Sequence, residues 1–151
     1  MKTTPANALV IIVAVLGSLF STTLARSADS EAFVGDWCNK DFNSRGNTRI
    51  RIYLDGEKLM VHMWGRCHPT ECDWGETTAT IVPEDKKSIS VTWNQGFAVS
   101  TQKLTLQEDG GLKLSGTRTY KDTKRPAMKE GGDFAKGLKH DWSDVEDKSK
   151  K

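Results

Sequence analysis

The sequence predicts an all-β protein, an antiparallel meander of seven or eight strands that closes into a small barrel. From Phe33 to Tyr120, apolar and polar residues alternate with a period of two, and runs with a helical period are absent. Turn sequences containing glycine or proline interrupt the alternation, so that each strand is about 6–10 residues long. A meander of this kind closes into a barrel or a sandwich because closure removes exposed sheet edges.

Seven strands follow from the alternation. They are Phe33–Cys38, Thr48–Leu54, Lys58–Trp64, Glu76–Val82, Ser88–Trp93, Phe97–Leu106 and Leu112–Tyr120. Asp55-Gly56 predicts a two-residue hairpin turn, because glycine accepts the positive φ that such turns require. Within the sixth strand the large apolar residues change parity, which predicts a bulge near Ser100–Gln102 or two strands meeting there.

The N-terminal residues have the pattern of a secretory signal peptide. Lys2 is the only charge before the apolar run Leu9–Phe20, and small residues follow up to Ala25. The run is shorter than the roughly 20 residues that span a bilayer. We therefore predict cleavage after Ala25, a secreted or periplasmic location and no membrane span after cleavage. An uncleaved membrane anchor is the alternative.

The rest of the chain is predicted to hold one domain. Residues 1–25 are the signal peptide, residues 30–125 the β-barrel domain, and residues 126–151 a polar, disordered tail with few apolar side chains. The formal net charge is +2, and it falls to +1 without residues 1–25, whose only charge is Lys2. This balance argues against nucleic acid as a partner, because phosphate binding requires concentrated Lys and Arg.

The segment Trp64–Gly75 concentrates the residue types that shape sites. It holds two of the three cysteines, two of the five tryptophans and one of the three histidines. Disulfides persist in exported proteins, so Cys67 and Cys72 are predicted to form one. Pairing of Cys38 with either of them is the alternative.

Two chemical functions are predicted to be absent. A zinc site would use Cys67, His68, Cys72, Asp73 and His62, but their spacing matches no common zinc motif, so neither a metal nor a cofactor is expected. A catalytic thiol needs an oriented base, and no Ser–His–Asp motif or phosphate-binding glycine loop accompanies it. The chain is predicted not to be an enzyme.

The motif Phe33-x-Gly35-x-Trp37 resembles the opening strand of calycin barrels, the group that contains lipocalins and avidins. The resemblance implies an eight-stranded barrel with an indole across its closed end. It also implies a basic residue from a late strand over that indole, for which Arg118 is the counterpart. Trp64–Gly75 is itself similar to a segment of small exported bacterial domains of unassigned function.

These observations predict a binding protein for a small or amphipathic ligand, with a disulfide-pinned loop at the barrel rim. The predicted ligand-binding residues are Trp37, His62, Trp64, His68, Trp74 and Trp93. The alternative is a secreted protein-interaction or protease-inhibitor-like module, in which the Trp64–Gly75 loop presents an exposed patch to a partner protein. Tryptophans that only fill the core are a third interpretation. If Val61 and Met63 face inward, His62 and Trp64 face outward.

Overall fold

The computed structural model describes residues 28–67 and 70–140, so the predicted signal peptide lies outside the described residues. A short helix, α1 (Ala28–Glu31), precedes eight strands. The strands are β1 (Gly35–Asn39), β2 (Asn47–Asp55), β3 (Lys58–Arg66), β4 (Glu71–Val82), β5 (Asp85–Asn94), β6 (Ala98–Leu106), β7 (Leu112–Tyr120) and β8 (Met128–Lys136). None of the helices among these residues has the length and apolar character that a membrane crossing requires.

The strands form a closed antiparallel barrel in which each strand pairs with its neighbours in the chain and β1 pairs with β8. The predicted fold class is confirmed. Gly56 and Glu57 form the two-residue turn between β2 and β3, one residue later than predicted, and Gly56 has a φ of 60°. Because the meander reverses direction at every strand, the connections β1–β2, β3–β4, β5–β6 and β7–β8 share one end, which we call the mouth.

The eighth strand lies in residues 126–151, where the sequence predicts a disordered tail. That prediction is wrong for Met128–Lys136, which pairs with β7 along its length and with β1 at its end. Phe134 is the one fully buried side chain of the strand, so the alternation that marks the other strands is weak. Gly132 lies under the Phe134 ring, where a Cβ would come within 3.0 Å of it. The predicted tail residues 141–151 lie outside the described residues.

Apolar side chains fill the barrel away from the mouth. The buried core consists of Phe33, Trp37, Ile50, Ile52, Leu59, Val61, Met63, Ala79, Ile89, Val91, Trp93, Leu104, Leu112, Leu114 and Phe134. Phe33 lies in the turn after α1, and the others come from all eight strands, so their burial stabilises the closed barrel. The interior of the barrel is therefore largely filled by these side chains.

The indole of Trp37 is buried beside the residues that precede β1, and a cation lies over its ring. Its Nε1 donates to the carbonyl O of Phe33 at 2.9 Å. The cation over the ring is Lys136, whose Nζ lies 5.3 Å from the ring centroid, and Gly35 leaves the space for that side chain. The expectation that Arg118 fills this role is wrong, because Arg118 lies over Trp74 instead.

Strand β6 is regular, and the predicted bulge near Ser100–Gln102 is wrong. Its pairing with β5 runs without a shift from Ser88↔Thr105 to Asn94↔Val99. Ser100 and Gln102 are buried on the same face as Leu104. The apparent change of parity arises because polar residues occupy interior positions in this strand.

Candidate functional site

The segment Trp64–Gly75 is mostly a β-hairpin, where the sequence predicts a loop. Strand β3 continues to Arg66 and β4 begins at Glu71, so β4 starts five residues earlier than predicted. The predicted disulfide between Cys67 and Cys72 is confirmed, with a Cα–Cα distance of 5.3 Å across the end of the hairpin. The disulfide therefore closes the tip of a paired ribbon at the mouth. His68 lies outside the described residues.

A β-bulge in this hairpin turns Trp74 into the barrel. His62 pairs with Glu76, but Trp64 pairs with Asp73, so Trp74 and Gly75 together lie opposite one residue of β3. Gly75 has a φ of 78°, a conformation that β-bulges often require and that glycine adopts readily. Trp74 packs against the core and meets Trp93 edge to face at 6.2 Å. Two of the predicted site residues, Trp74 and Trp93, are thus brought together.

A pocket of about 580 Å³ opens at the mouth, and we call it the mouth pocket. All four connections or the strand ends beside them contribute to its lining, through Arg45, Cys67, Gln95 and Met128. Asn47, Trp74, Arg118 and Glu130 line it from the strands. Its volume lies within the roughly 300–1,000 Å³ of ligand pockets.

A buried polar network lies beneath the mouth pocket. Glu130 forms an ion pair with Arg118 at 2.7 Å. The Glu130 side chain is only 6% exposed and the Arg118 side chain 14%. Arg118 also donates from Nε to Ser100 Oγ at 3.0 Å, and its guanidinium lies 4.6 Å over the Trp74 ring. The charge pair, the hydroxyl and the indole hold one another in fixed positions.

The same network fixes the orientation of the Asn47 amide. Trp93 Nε1 can only donate, and it donates to Gln102 Oε1 at 3.1 Å. The amide nitrogen of Gln102 therefore faces Glu130 Oε2 at 3.0 Å and Asn47 Oδ1 at 3.4 Å. With its oxygen occupied, Asn47 keeps its Nδ2 as a donor.

Asn47 is only 2% exposed, and its Nδ2 is buried without a hydrogen-bond partner among the described residues. A buried polar group without a partner costs about 1–3 kcal/mol. Rotating the amide would place two nitrogens together and lose the bond to Gln102. The pocket lining thus contains a donor that the described residues leave unsatisfied.

His62 and Trp64 lie on the outer face of the barrel, as the parity of Val61 and Met63 predicts. Their rings stack at 3.9 Å, and the Arg49 guanidinium lies 4.3 Å over Trp64. His62 contacts Asp73 through Nε2 at 2.6 Å and Glu76 through Nδ1 at 3.1 Å. Because Trp64 faces outward and Trp74 inward, the two tryptophans do not form the continuous exposed patch expected of an interaction module.

We expect the Asp73 carboxylate to make stability depend on pH. The backbone N–H of Gly75 and then His62 lower the pKa of Asp73 below its ordinary value of 3.8. A lowered pKa in the folded state means that this stabilisation is present above about pH 4 and is lost as the pH falls through the lowered pKa. In urea unfolding, the free energy of unfolding should fall less between pH 7 and pH 3 in Asp73→Asn than in the unsubstituted protein. Equal losses would contradict the assignment.

The disulfide is expected to add about 2 kcal/mol to the free energy of unfolding, from the entropy of a six-residue loop. Thiol titration of the denatured protein without reductant should give one thiol per chain, from Cys38, which is buried in β1 and outside the disulfide. In urea unfolding, the double variant Cys67→Ser/Cys72→Ser should have a free energy of unfolding lower by that amount. Three titratable thiols in the unsubstituted, unreduced protein would refute the pairing.

Sequence reasoning missed Asn47, Gln102 and Glu130. The signal was present in β6, where Ser100 and Gln102 occupy positions whose parity matches the apolar Leu104. Polar residues at interior parity indicate a hydrogen-bonded core network or a polar pocket. The sequence predicts a role for Arg118 at the closed end of the barrel, whereas it lies with Trp74 and Glu130.

The disulfide also bears on the metal prediction, because it occupies both sulfurs that a zinc site would use as thiolates. The described residues contain no group of three or more His, Cys, Asp or Glu side chains placed to hold a metal ion.

Neither a protein-family model, nor a curated protein, nor a solved structure matches this chain.

Proposed function

We propose that this protein is an exported β-barrel that binds a small ligand in the mouth pocket, with the Cys67–Cys72 hairpin tip as part of the rim. One observation carries the proposal: Asn47, in the pocket lining, has a buried amide donor without a partner among the described residues. A ligand acceptor would satisfy this donor and recover the free energy that the unliganded protein forgoes.

The arrangement supports binding better than catalysis. The sulfurs of Cys67 and Cys72 are joined, so neither is a nucleophile. The carboxylate of Glu130 is bound to Arg118 and Gln102, which makes it a structural acceptor. A pocket in which hydrogen-bonded polar side chains lie beside apolar and aromatic ones is typical of ligand sites.

The kinship to lipocalins and avidins is part of the proposal. It is supported by eight antiparallel strands in a closed barrel and by the Trp37 indole beneath Lys136. Export is supported by the signal-like pattern of residues 1–25 and by a disulfide, which persists in oxidising compartments. The interaction-module alternative has less support, because Trp64 and Trp74 face opposite sides of the barrel wall.

Native mass spectrometry of the protein isolated from its natural source tests the binding proposal. We expect a species heavier than the mature chain, whose extra mass is released on denaturation. Asn47→Leu should lose this species, whereas Asn43→Leu, on the exposed β1–β2 connection, should retain it. Recovery of the bare chain alone would refute binding. The mass of that chain also reports whether cleavage follows Ala25.

A further inference from the structure

We propose that the ligand of the mouth pocket is a small neutral saccharide, held by the amide side chains of the lining and by the aromatic side chain at the opening. This inference rests on the proposed binding function and specifies its ligand class. Three features carry it: two amides with unsatisfied hydrogen-bonding groups, a floor whose charges cancel, and an exposed aromatic ring at the mouth.

The unsatisfied groups belong to two amides in the lining. Asn47 Nδ2 requires an acceptor from the ligand, because its own Oδ1 is already bonded to Gln102. Gln95 Oε1 is buried and has no hydrogen-bond partner among the described residues, so this amide offers a ligand a second hydrogen-bonding group. A carboxylate offers only acceptors and an ammonium only donors, whereas a hydroxyl offers both. The pair of amides therefore favours a ligand rich in hydroxyl groups.

The floor of the pocket favours an uncharged ligand. Arg118 and Glu130 neutralise each other at 2.7 Å, and both sides of the pair have further hydrogen bonds. A charged ligand group placed there would lose its water without gaining an unpaired counter-charge. The other charged residues of the lining are the cations Arg45, Arg66 and Lys129 and the carboxylate of Asp73. Arg45, Asp73 and Lys129 are exposed and Arg66 is half-buried, so water screens their charges.

The opening favours a ligand with an apolar face as well as hydroxyl groups. Phe97 is 57% exposed in the lining and stacks against Tyr120 at 6.4 Å, which leaves much of its surface in water. Met128, 46% exposed, lines the same opening. Sugar rings combine hydroxyl edges with C–H faces that pack on aromatic rings. A pocket of about 580 Å³ has room for one or two sugar rings.

Side-chain amide resonances of the ¹⁵N-labelled full chain provide the test. Glucose, N-acetylglucosamine, maltose and cellobiose are titrated separately, and we expect at least one to shift the Asn47 and Gln95 amide signals saturably. Gln95→Leu should weaken that saccharide about tenfold, as the loss of one hydrogen bond implies. Phe97→Ala should also weaken it, whereas Leu138→Ala, an exposed apolar residue outside this lining, should not. Because these positions are half-buried or exposed, the variants are expected to fold.

Sodium acetate, sodium decanoate and tetramethylammonium chloride form the opposing arms. Saturable shifts of the Asn47 amide by one of these ions, with no response to the saccharides, would overturn the proposal in favour of a charged ligand. Silence of all compounds would overturn it as well. A non-saccharide ligand identified by native mass spectrometry would refute this inference while leaving the binding function in place.

Discussion

Replacing Glu130 by Gln is expected to lower the free energy of unfolding by about 3–5 kcal/mol, the usual result of removing one partner from a buried ion pair. The reason is the remaining charge: the Arg118 side chain is only 14% exposed and would keep its guanidinium in the barrel without a carboxylate. Urea unfolding followed by tryptophan fluorescence measures the loss. Trp74, beneath the guanidinium, should also change its emission.

Replacing both members of the ion pair by apolar residues distinguishes the effect of an unpaired buried charge from a general disruption of packing. The double variant Arg118→Met/Glu130→Leu should recover most of the stability lost by Glu130→Gln, because no charge is left buried. Lys86→Met provides a matched control, since Lys86 forms an exposed ion pair with Asp29 and should change stability by at most about 1 kcal/mol. If Glu130→Gln is as mild as the control, the polar network contributes little to the fold.

Phe134→Ala is expected to destabilise the protein by about 3–5 kcal/mol, through lost burial and the cavity that remains. Phe134 is fully buried where β8 lies between β7 and β1, so its ring helps to seal the barrel. Urea unfolding measures the effect.

Phe97→Ala is the control for ring size, because Phe97 is exposed at the mouth and its loss should change stability by less than about 0.5 kcal/mol. Equal, small effects at Phe134 and Phe97 would mean that Met128–Lys136 does not form part of the folded barrel.

Much of the fold could be predicted because one face of most strands is apolar. Ile50 and Ile52 in β2, and Val61 and Met63 in β3, alternate with exposed or half-buried residues, and their parity correctly predicted that His62 and Trp64 face outward. Strand β8 could not be predicted in the same way. Its Gly131 and Gly132 carry no side chain to alternate, and only Phe134 is fully buried.

The candidate site was predicted only in part. Cysteine spacing and the signal-like N-terminus favoured the Cys67–Cys72 disulfide over a pairing with Cys38, and the structure confirms it. Trp74 and Trp93 were singled out as residue types typical of pockets, and the structure brings them together. The bulge at Gly75 that turns Trp74 inward leaves only a weak trace in the sequence, because a glycine has several structural uses.

By itself the sequence determined the all-β class, the meander and the disulfide, because each depends on local alternation, turn residues or short spacing. Only the tertiary structure decided that the Trp64–Gly75 segment is a hairpin and that Arg118 pairs with Glu130 at the mouth. It also decided that Asn47 retains an unsatisfied donor. These features depend on contacts between residues as far apart as Asn47 and Gln102, which meet only when β1 and β8 close the barrel. Closure fixes which polar groups find partners, and in Trp64–Gly75 it converts a segment rich in site residues into one wall of a pocket.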